Sequence, residues 1–455
     1  MELDLMIKDG FLVIPEAGIV KATMGIKEGR VVGIFEEGSN LRAREVIDGR
    51  GKYILPGVIQ PHAHLGQLEG LEDYATETGS AAVGGTTTVI DFHKGKEDYG
   101  EEFLRVKTVA GQKAYVDFSF HLYVMSDVHL EGLPRYVEEL GISSFKFQMG
   151  SKGEEPKEKG IPALNDGLIY EAFLRLGELK GTIACIHAEN YEINAYHTEK
   201  LKRQGRDDLR AWSEARPSCS EAESIQRMLY FSEVTQCPLY IVHMTTREGL
   251  RLIREHRKKG LSDVYIETCP QYLTHHMNDN LGRRGKFTPP LRTEADNEAL
   301  WDGLLNGEID TIGIDQITRK VDPEEKSIWN RTNTPREAVT ALPVLITEGH
   351  LKRGLPMERI AEITSYHAAR IFNLYPKKGT LSIGSDADLV VVDVGLEKKV
   401  KKEMIKSLSN FSVYEGRTLR GWPVLTLCRG KVIMRDGEIV GDRGWGVFVE
   451  RKPGM

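Results

Sequence analysis

The spacing of hydrophobic positions changes twice along the chain. From Leu3 to about Ile47 they fall into short runs: Leu5-Met-Ile7, Phe11-Leu-Val-Ile14, Thr23-Met-Gly-Ile26 and Arg30-Val-Val-Gly-Ile-Phe35. Asp9-Gly10 and Glu28-Gly29 sit where hairpin turns are expected. No helical period is visible, so this stretch is predicted to be strands. The same texture returns at the far end in Ala387-Asp-Leu-Val-Val-Val-Asp393, Val424-Leu-Thr-Leu-Cys-Arg-Gly430 and Lys431-Val-Ile-Met434, followed by the turn Asp436-Gly437. Neither stretch is long enough for a core of its own. Together they predict one small β-sandwich domain built from residues 1–55 and 376–455.

Residues 56–375 have a different rhythm, in which β-branched runs alternate with longer amphipathic segments. The runs are residues 57–60, 86–92, 116–124, 144–147, 182–187, 239–243, 264–268 and 311–315, and helical spacing lies between many of them, as in 221–235 and 246–259. Eight strands in repeated βα units over roughly 300 residues predict an α/β fold of the (β/α)8 TIM-barrel type. An open doubly wound sheet fits less well, because no G-x-G-x-x-G follows the first run.

Composition narrows the class. A chain of 455 residues exceeds one small core, and 61 basic against 67 acidic residues leave a net charge of −6. That balance gives no electrostatic case for nucleic acid or an anionic membrane as partner. The apolar runs fall short of the ~18 residues of a membrane span. The Met1-Glu-Leu-Asp4 start lacks the basic and apolar regions of a secretory signal, so a cytoplasmic protein is expected. Cys185, Cys219, Cys237, Cys269 and Cys428 are odd in number, scattered and free of CxxC spacing, which reads as reduced thiols.

The candidate chemistry starts at Leu55-Pro-Gly-Val-Ile-Gln-Pro-His-Ala-His-Leu-Gly66. In a strand, i and i+2 point the same way, so His62 and His64 converge beyond its end, either as metal ligands or as a hydrogen-bonded core pair. The other strand ends bear on that choice. Lys146 ends the fourth run, His187 the fifth, His243 the sixth and Asp315 the eighth. Barrel enzymes place their chemistry at the C-terminal ends of strands, so six side chains from five strands point to a metal site at the barrel mouth. Imidazole with carboxylate favours Zn²⁺ first, then Mn²⁺, Fe²⁺, Ni²⁺ or Co²⁺, over Ca²⁺ and Mg²⁺. Lys146 is the exception, since a protonated lysine repels cations. It serves only if its amine carries a carboxyl group, becoming an anionic oxygen bridge between two metals.

With these residues the chain resembles the cyclic amidohydrolases, in the hydantoinase, dihydropyrimidinase and allantoinase branch. The resemblance runs over nearly the whole chain. It rests on Pro56-Gly57, His62-Ala-His64, Gly84-Gly-Thr-Thr-Thr-Val-Ile-Asp-Phe92, Ser144-Phe-Lys-Phe147, His187-Ala-Glu-Asn190 and Val242-His-Met-Thr-Thr246. Further on come Thr268-Cys-Pro-Gln-Tyr-Leu273, Lys286-Phe-Thr-Pro-Pro-Leu-Arg292 and Gly379-Thr-Leu-Ser-Ile-Gly-Ser-Asp-Ala-Asp-Leu-Val390. The resemblance implies two divalent metals bridged by N6-carboxylysine at Lys146, one held by His62, His64 and Asp315 and the other by His187 and His243. It implies attack by a metal-bridging hydroxide on a ring amide, with Asp315 as the catalytic general base. Thr288 and Asn333 would hold the substrate's amide edge, largely through the backbone, and a homo-oligomer, tetramer or dimer, is expected.

Four departures bear on the substrate. Gln60 stands where relatives have Asp before the first His-x-His, and Gln316 where they have His after the last Asp. Hydantoinases and dihydropyrimidinases place a tyrosine five residues after the bridging lysine, where it donates to the developing oxyanion. Here that substrate-binding position is Ser151, and His93 is a candidate replacement donor against its reading as a surface histidine. The loop Leu65-Gly-Gln-Leu-Glu-Gly70 is short and lacks the arginine that dihydroorotases carry at the position of Gly66. The expected function is a metal-dependent hydrolase opening a cyclic amide, such as a hydantoin, dihydropyrimidine, allantoin or related ureide ring. The alternatives are a hydrolase of a purine-derived ring or a non-catalytic dihydropyrimidinase-related scaffold.

Overall fold

The computed structural model describes residues 2–150, 164–320, 327–330, 333–409 and 411–452. Two sheets organise them. The first is built from both ends of the chain around β1 (Leu3–Ile14), which lies antiparallel to β2 (Gly18–Lys27). Along its first half β1 also pairs in parallel with β4 (Ala43–Asp48), and along its second half with β5 (Tyr53–Pro56). β3 (Arg30–Glu36) extends the sheet beyond β2. On the other side β5 leads to four strands from the C-terminal region, β15 (Leu389–Lys399), β16 (Thr418–Cys428), β17 (Lys431–Arg435) and β18 (Glu438–Ile439). Leu5, Ile7, Met24, Ile54, Leu389, Val391 and Leu427 share the core of this region.

The turn chemistry is half as expected. Glu28 and Gly29 both have positive φ, 51° and 74°, and join β2 to β3. Asp9-Gly10 makes no hairpin. It is an irregularity inside β1, where the register shifts between Ile7 and Gly10 and Asp9 sits at φ 57° with its carboxylate accepting from the Thr23 hydroxyl. The turn itself falls after Ile14.

The second sheet is parallel and runs in sequence order through β6 (Val58–His64), β7 (Thr86–His93), β8 (Asp117–Tyr123), β9 (Ser144–Gln148), β10 (Ile183–His187), β11 (Leu239–Ile241) and β12 (Val264–Thr268). The eighth position is split. β13 (Thr311–Ile312) pairs with β12, and β14 (Gln316–Ile317) pairs with β6, so the sheet returns to its first strand and closes as a barrel. Helices cover it, including Ser218–Thr235 and Arg247–Lys259 where the sequence spacing placed them. Two strands are shorter than expected, because His243 at φ 40° and Asp315 at φ 55° leave the extended region. The described helices include none long and apolar enough to cross a membrane. All five cysteines are free, with Cys219 exposed and the rest buried.

Candidate metal centre

The closed barrel brings the predicted strand-end side chains together at its C-terminal mouth. His62 and His64 leave β6 on the same side, their rings 5.2 Å apart. Phe92 of β7 packs against both, at 4.6 and 5.4 Å, and the Lys146 Nζ from β9 lies 4.4 Å above the same ring. His187 Nδ1 and His243 Nε2 face each other at 2.9 Å. Asp315 Oδ1 lies 3.1 Å from His64 Nε2 and 3.3 Å from His62 Nε2. The left-handed backbone at His243 and Asp315 costs about 1–3 kcal/mol each and is found where the surroundings fix a functional geometry.

The electrostatics fit cations. Burial pushes His64 down to about 4 and His243 well below the usual imidazole range, so both rings are neutral and keep a lone pair for a ligand. Burial likewise pulls the Lys146 ammonium down to about 8. Burial opposes the charge on Asp315, but the Arg336 guanidinium, helped by the hydrogen bond with His64, outweighs it and holds the carboxyl well below the usual range. The buried atoms His62 Nε2, His243 Nδ1 and Lys146 Nζ lack any hydrogen-bond partner. Ligand atoms of His62, His243 and Asp315 lie within 4.8 Å of one another. Neutral imidazoles and an anionic carboxylate with orphaned donor atoms are what divalent cations need.

Residues 53–433 match the amidohydrolase family. The chain belongs to that family. Over 99% of its length it is 33% identical to an L-hydantoinase of Paenarthrobacter aurescens, covering 98% of that protein. It is 34% identical to a D-hydantoinase of Geobacillus stearothermophilus, with 98% and 96% of the two chains covered. Among solved structures it resembles the L-hydantoinase (dihydropyrimidinase) from Arthrobacter aurescens at a TM-score of 0.92 and 32% identity, over 99% of this chain and 100% of that one. It also resembles the dihydropyrimidinase from Brevibacillus agri at a TM-score of 0.90 and 30% identity, over 98% of each. It is thus a cyclic amidohydrolase of the hydantoinase and dihydropyrimidinase branch, and membership implies a binuclear metal centre.

Three residues around this amidohydrolase's centre were missed in the sequence. Glu267, fully buried, accepts from His62 Nδ1 at 2.7 Å, the His243 N–H at 2.8 Å and the Tyr240 hydroxyl at 2.9 Å. Glu189 lies 2.9 Å from His187 Nε2. Arg336 Nη1 is 3.1 Å from Asp315 Oδ2. Glu267 was within reach of the strand-end rule, as the fourth residue of the five-residue β12. Glu189 lies two residues past a histidine, and Arg336 comes from an irregular segment without a periodic signal.

The two glutamines take up the second layer of the site. The Gln60 side-chain carbonyl accepts the His62 and Ile314 N–H groups, at 3.1 and 3.2 Å, tying the first strand to the eighth. Gln316 Nε2 donates to Glu77 at 3.2 Å. Above the centre opens a cavity of about 600 Å³ lined by His64, Lys146, His187, His243 and Asp315 together with Thr288 and Asn333, whose side chains are 3.2 Å apart. His62 lies beneath it. Ser151 lies outside the described residues. His93 is neither a surface residue nor a donor to the cavity: it is 8% exposed and packs on Tyr99 and Phe120. Strand alternation explains this, because Phe92 faces the barrel interior and its neighbour must face the helices.

Proposed function

We propose that this amidohydrolase holds two divalent cations, one at His62, His64 and Asp315 and one at His187 and His243, with Lys146 bridging them as N6-carboxylysine, and that it opens a cyclic amide. Zn²⁺ suits these donors first, with Mn²⁺, Fe²⁺, Ni²⁺ or Co²⁺ accepted by the same set. Residues 56–375 form the catalytic barrel in this reading, braced by a β-sandwich domain of residues 1–55 and 376–455. The observation that carries it is the set of orphaned buried atoms, His62 Nε2, His243 Nδ1 and Lys146 Nζ, at one mouth. An unpaired buried polar atom costs about 1–3 kcal/mol, and several at one point call for a ligand.

Bound cations supply Lewis acidity and lower the pKa of water toward 7, giving a nucleophile at neutral pH. The chain's own groups do the rest. Thr288 and Asn333 hold the amide edge of the ring, and Asp315 takes a proton from the attacking water and delivers it to the leaving nitrogen. Arg336 and Glu267 keep Asp315 and His62 in place. The roomy, partly cationic cavity, with Lys94, Lys202 and Arg216 on its wall, suits a polar ring such as a hydantoin, dihydropyrimidine, allantoin or related ureide, or a purine-derived ring. A non-catalytic scaffold has no use for six intact ligand positions. The protein acts as a homo-oligomer, tetramer or dimer, and its free cysteines suit a reducing cytoplasm.

The test is metal analysis after reconstitution with bicarbonate and Zn²⁺ or Mn²⁺, followed by a panel of hydantoins, dihydropyrimidines, allantoin and oxidised purines. About two metals per chain and turnover of at least one ring are expected, and Lys146→Ala should lose the paired site. Fewer than one metal per chain, or no ring opened by the loaded protein, would overturn the reading.

A further inference from the structure

Hydrolysis of a ring amide places negative charge on the carbonyl oxygen, and a preorganised donor aimed at that oxygen is worth about 10²–10³ in rate. A phenol from an unexpected strand lines the cavity. Tyr123 ends β8 and is the register partner of Lys146 on the adjacent parallel strand β9, so both side chains leave the sheet on its inner face. Its ring is 4% exposed, edge-on to Phe92 at 6.2 Å and beneath the Lys94 Nζ at 5.2 Å. Tyr123 lines the cavity together with Lys146, Asp315, Thr288 and Asn333.

The Tyr123 hydroxyl makes no hydrogen bond to any described residue. The other buried phenols nearby are all committed. Tyr240 donates to Glu267, Tyr272 to the Pro289 carbonyl, Tyr74 to Asp91 and Tyr99 to the Tyr123 carbonyl. Burial, with the charges of Asp315 and Asp91, keeps Tyr123 protonated and so a donor throughout the working pH range. Two rival donors are placed or used otherwise. His93 faces the helices, and Arg336 is engaged by Asp315 and by the Thr288 carbonyl at 3.0 Å.

We infer that Tyr123 is a catalytic residue, whose hydroxyl donates to the ring carbonyl oxygen as it becomes an oxyanion. The inference rests on the cyclic-amide reading above. As the water oxygen bonds to the carbonyl carbon, the π pair moves to the carbonyl oxygen, where the Tyr123 O–H holds it. Return of that pair breaks the C–N bond, and the nitrogen leaves with the proton that Asp315 took from the water. The net change is one amide and one water to one carboxylic acid and one amine.

Tyr123→Phe keeps the ring and removes only the hydroxyl. In the metal-loaded protein kcat should fall about 10²-fold with KM little changed, while metal content and thermal midpoint stay at wild-type values. Infrared difference spectra of a bound, carbonyl-¹³C-labelled cyclic amide give an independent reading. The carbonyl stretch should be lowered in wild type and move back toward its solution value in the variant. Wild-type turnover with kcat and stretch unchanged in the variant overturns the assignment, as does a loss of metal that matches the loss of kcat. Failure of the wild type to open any ring overturns the cyclic-amide reading instead.

Discussion

Three donors meet on the carboxylate of Glu267: the His62 imidazole at 2.7 Å, the His243 N–H at 2.8 Å and the Tyr240 hydroxyl at 2.9 Å. With Nδ1 of His62 engaged, its Nε2 is turned toward Asp315 and keeps its lone pair for a cation. The carboxylate fixes the orientation of that ring, so the residue acts on metal affinity without being a ligand. Glu267→Gln preserves the shape and one acceptor but removes the charge. Metal affinity should fall about 10–100-fold, read by competition with a chelator, while the fold persists. Unchanged affinity would mean that the carboxylate only fills space. At this scale the sequence was readable in where side chains gather, since the six strand-end candidates meet at one mouth of the barrel. It was unreadable for Arg336 and Tyr123. Arg336 stands in no periodic element, and only three-dimensional packing shows that the Tyr123 hydroxyl has no hydrogen-bond partner among the described residues.

At the scale of elements, all eight β-branched runs became strands, because a strand buried on both faces is marked by its own apolar continuity. Their ends were less legible. His243 and Asp315 reach positive φ without being glycine, so nothing in the sequence announced that β11 would stop at Ile241 or that the eighth strand would break around Asp315. The break has a use, since it turns Asp315 toward His62 and His64 between two short pairings. Gly313 is part of the same device. A β-carbon there would collide with the Glu267 carboxylate. The residue is absent from the positive-φ positions, so alanine meets a steric problem and no backbone one. Gly313→Ala should therefore displace Glu267 and weaken metal retention as Glu267→Gln does, and the double variant should lose no more than the worse single one. Additive losses in a chelator competition would show that the two act separately.

The whole molecule depends on a charge cluster at the other end of the barrel. Lys378 Nζ lies 2.8 Å from Asp117 at the start of β8, 2.6 Å from Asp388 and 3.2 Å from Asp386, both just before β15, and it is fully buried. Asp117, Asp388 and Cys428 are grouped closely enough to hold a cation, but the lysine ammonium already occupies the place. The cluster thus ties the barrel to the terminal sheet, with Arg429 adding a second cation to Asp117 at 3.2 Å. Replacing Lys378 by Met removes the central positive charge and leaves buried carboxylates facing one another, a loss of about 3–5 kcal/mol. Its pH dependence has a definite sign. Burial raises the folded pKa of Asp388 above its unfolded value of about 3.9, and removing the ammonium that opposes this raises it further, so the folded state of the variant binds protons more tightly than the unfolded chain. Its contribution is then best at acid pH and is lost as pH rises through the raised value. The gap in thermal midpoint between wild type and Lys378→Met should be wide at pH 8 and narrow at pH 5. Because the cluster sits at the opposite end of the strands from the metal mouth, the folded variant should keep its metal. A gap that is equal at both pH values, or wider at pH 5, would assign the loss to packing around the lysine stem and not to its charge.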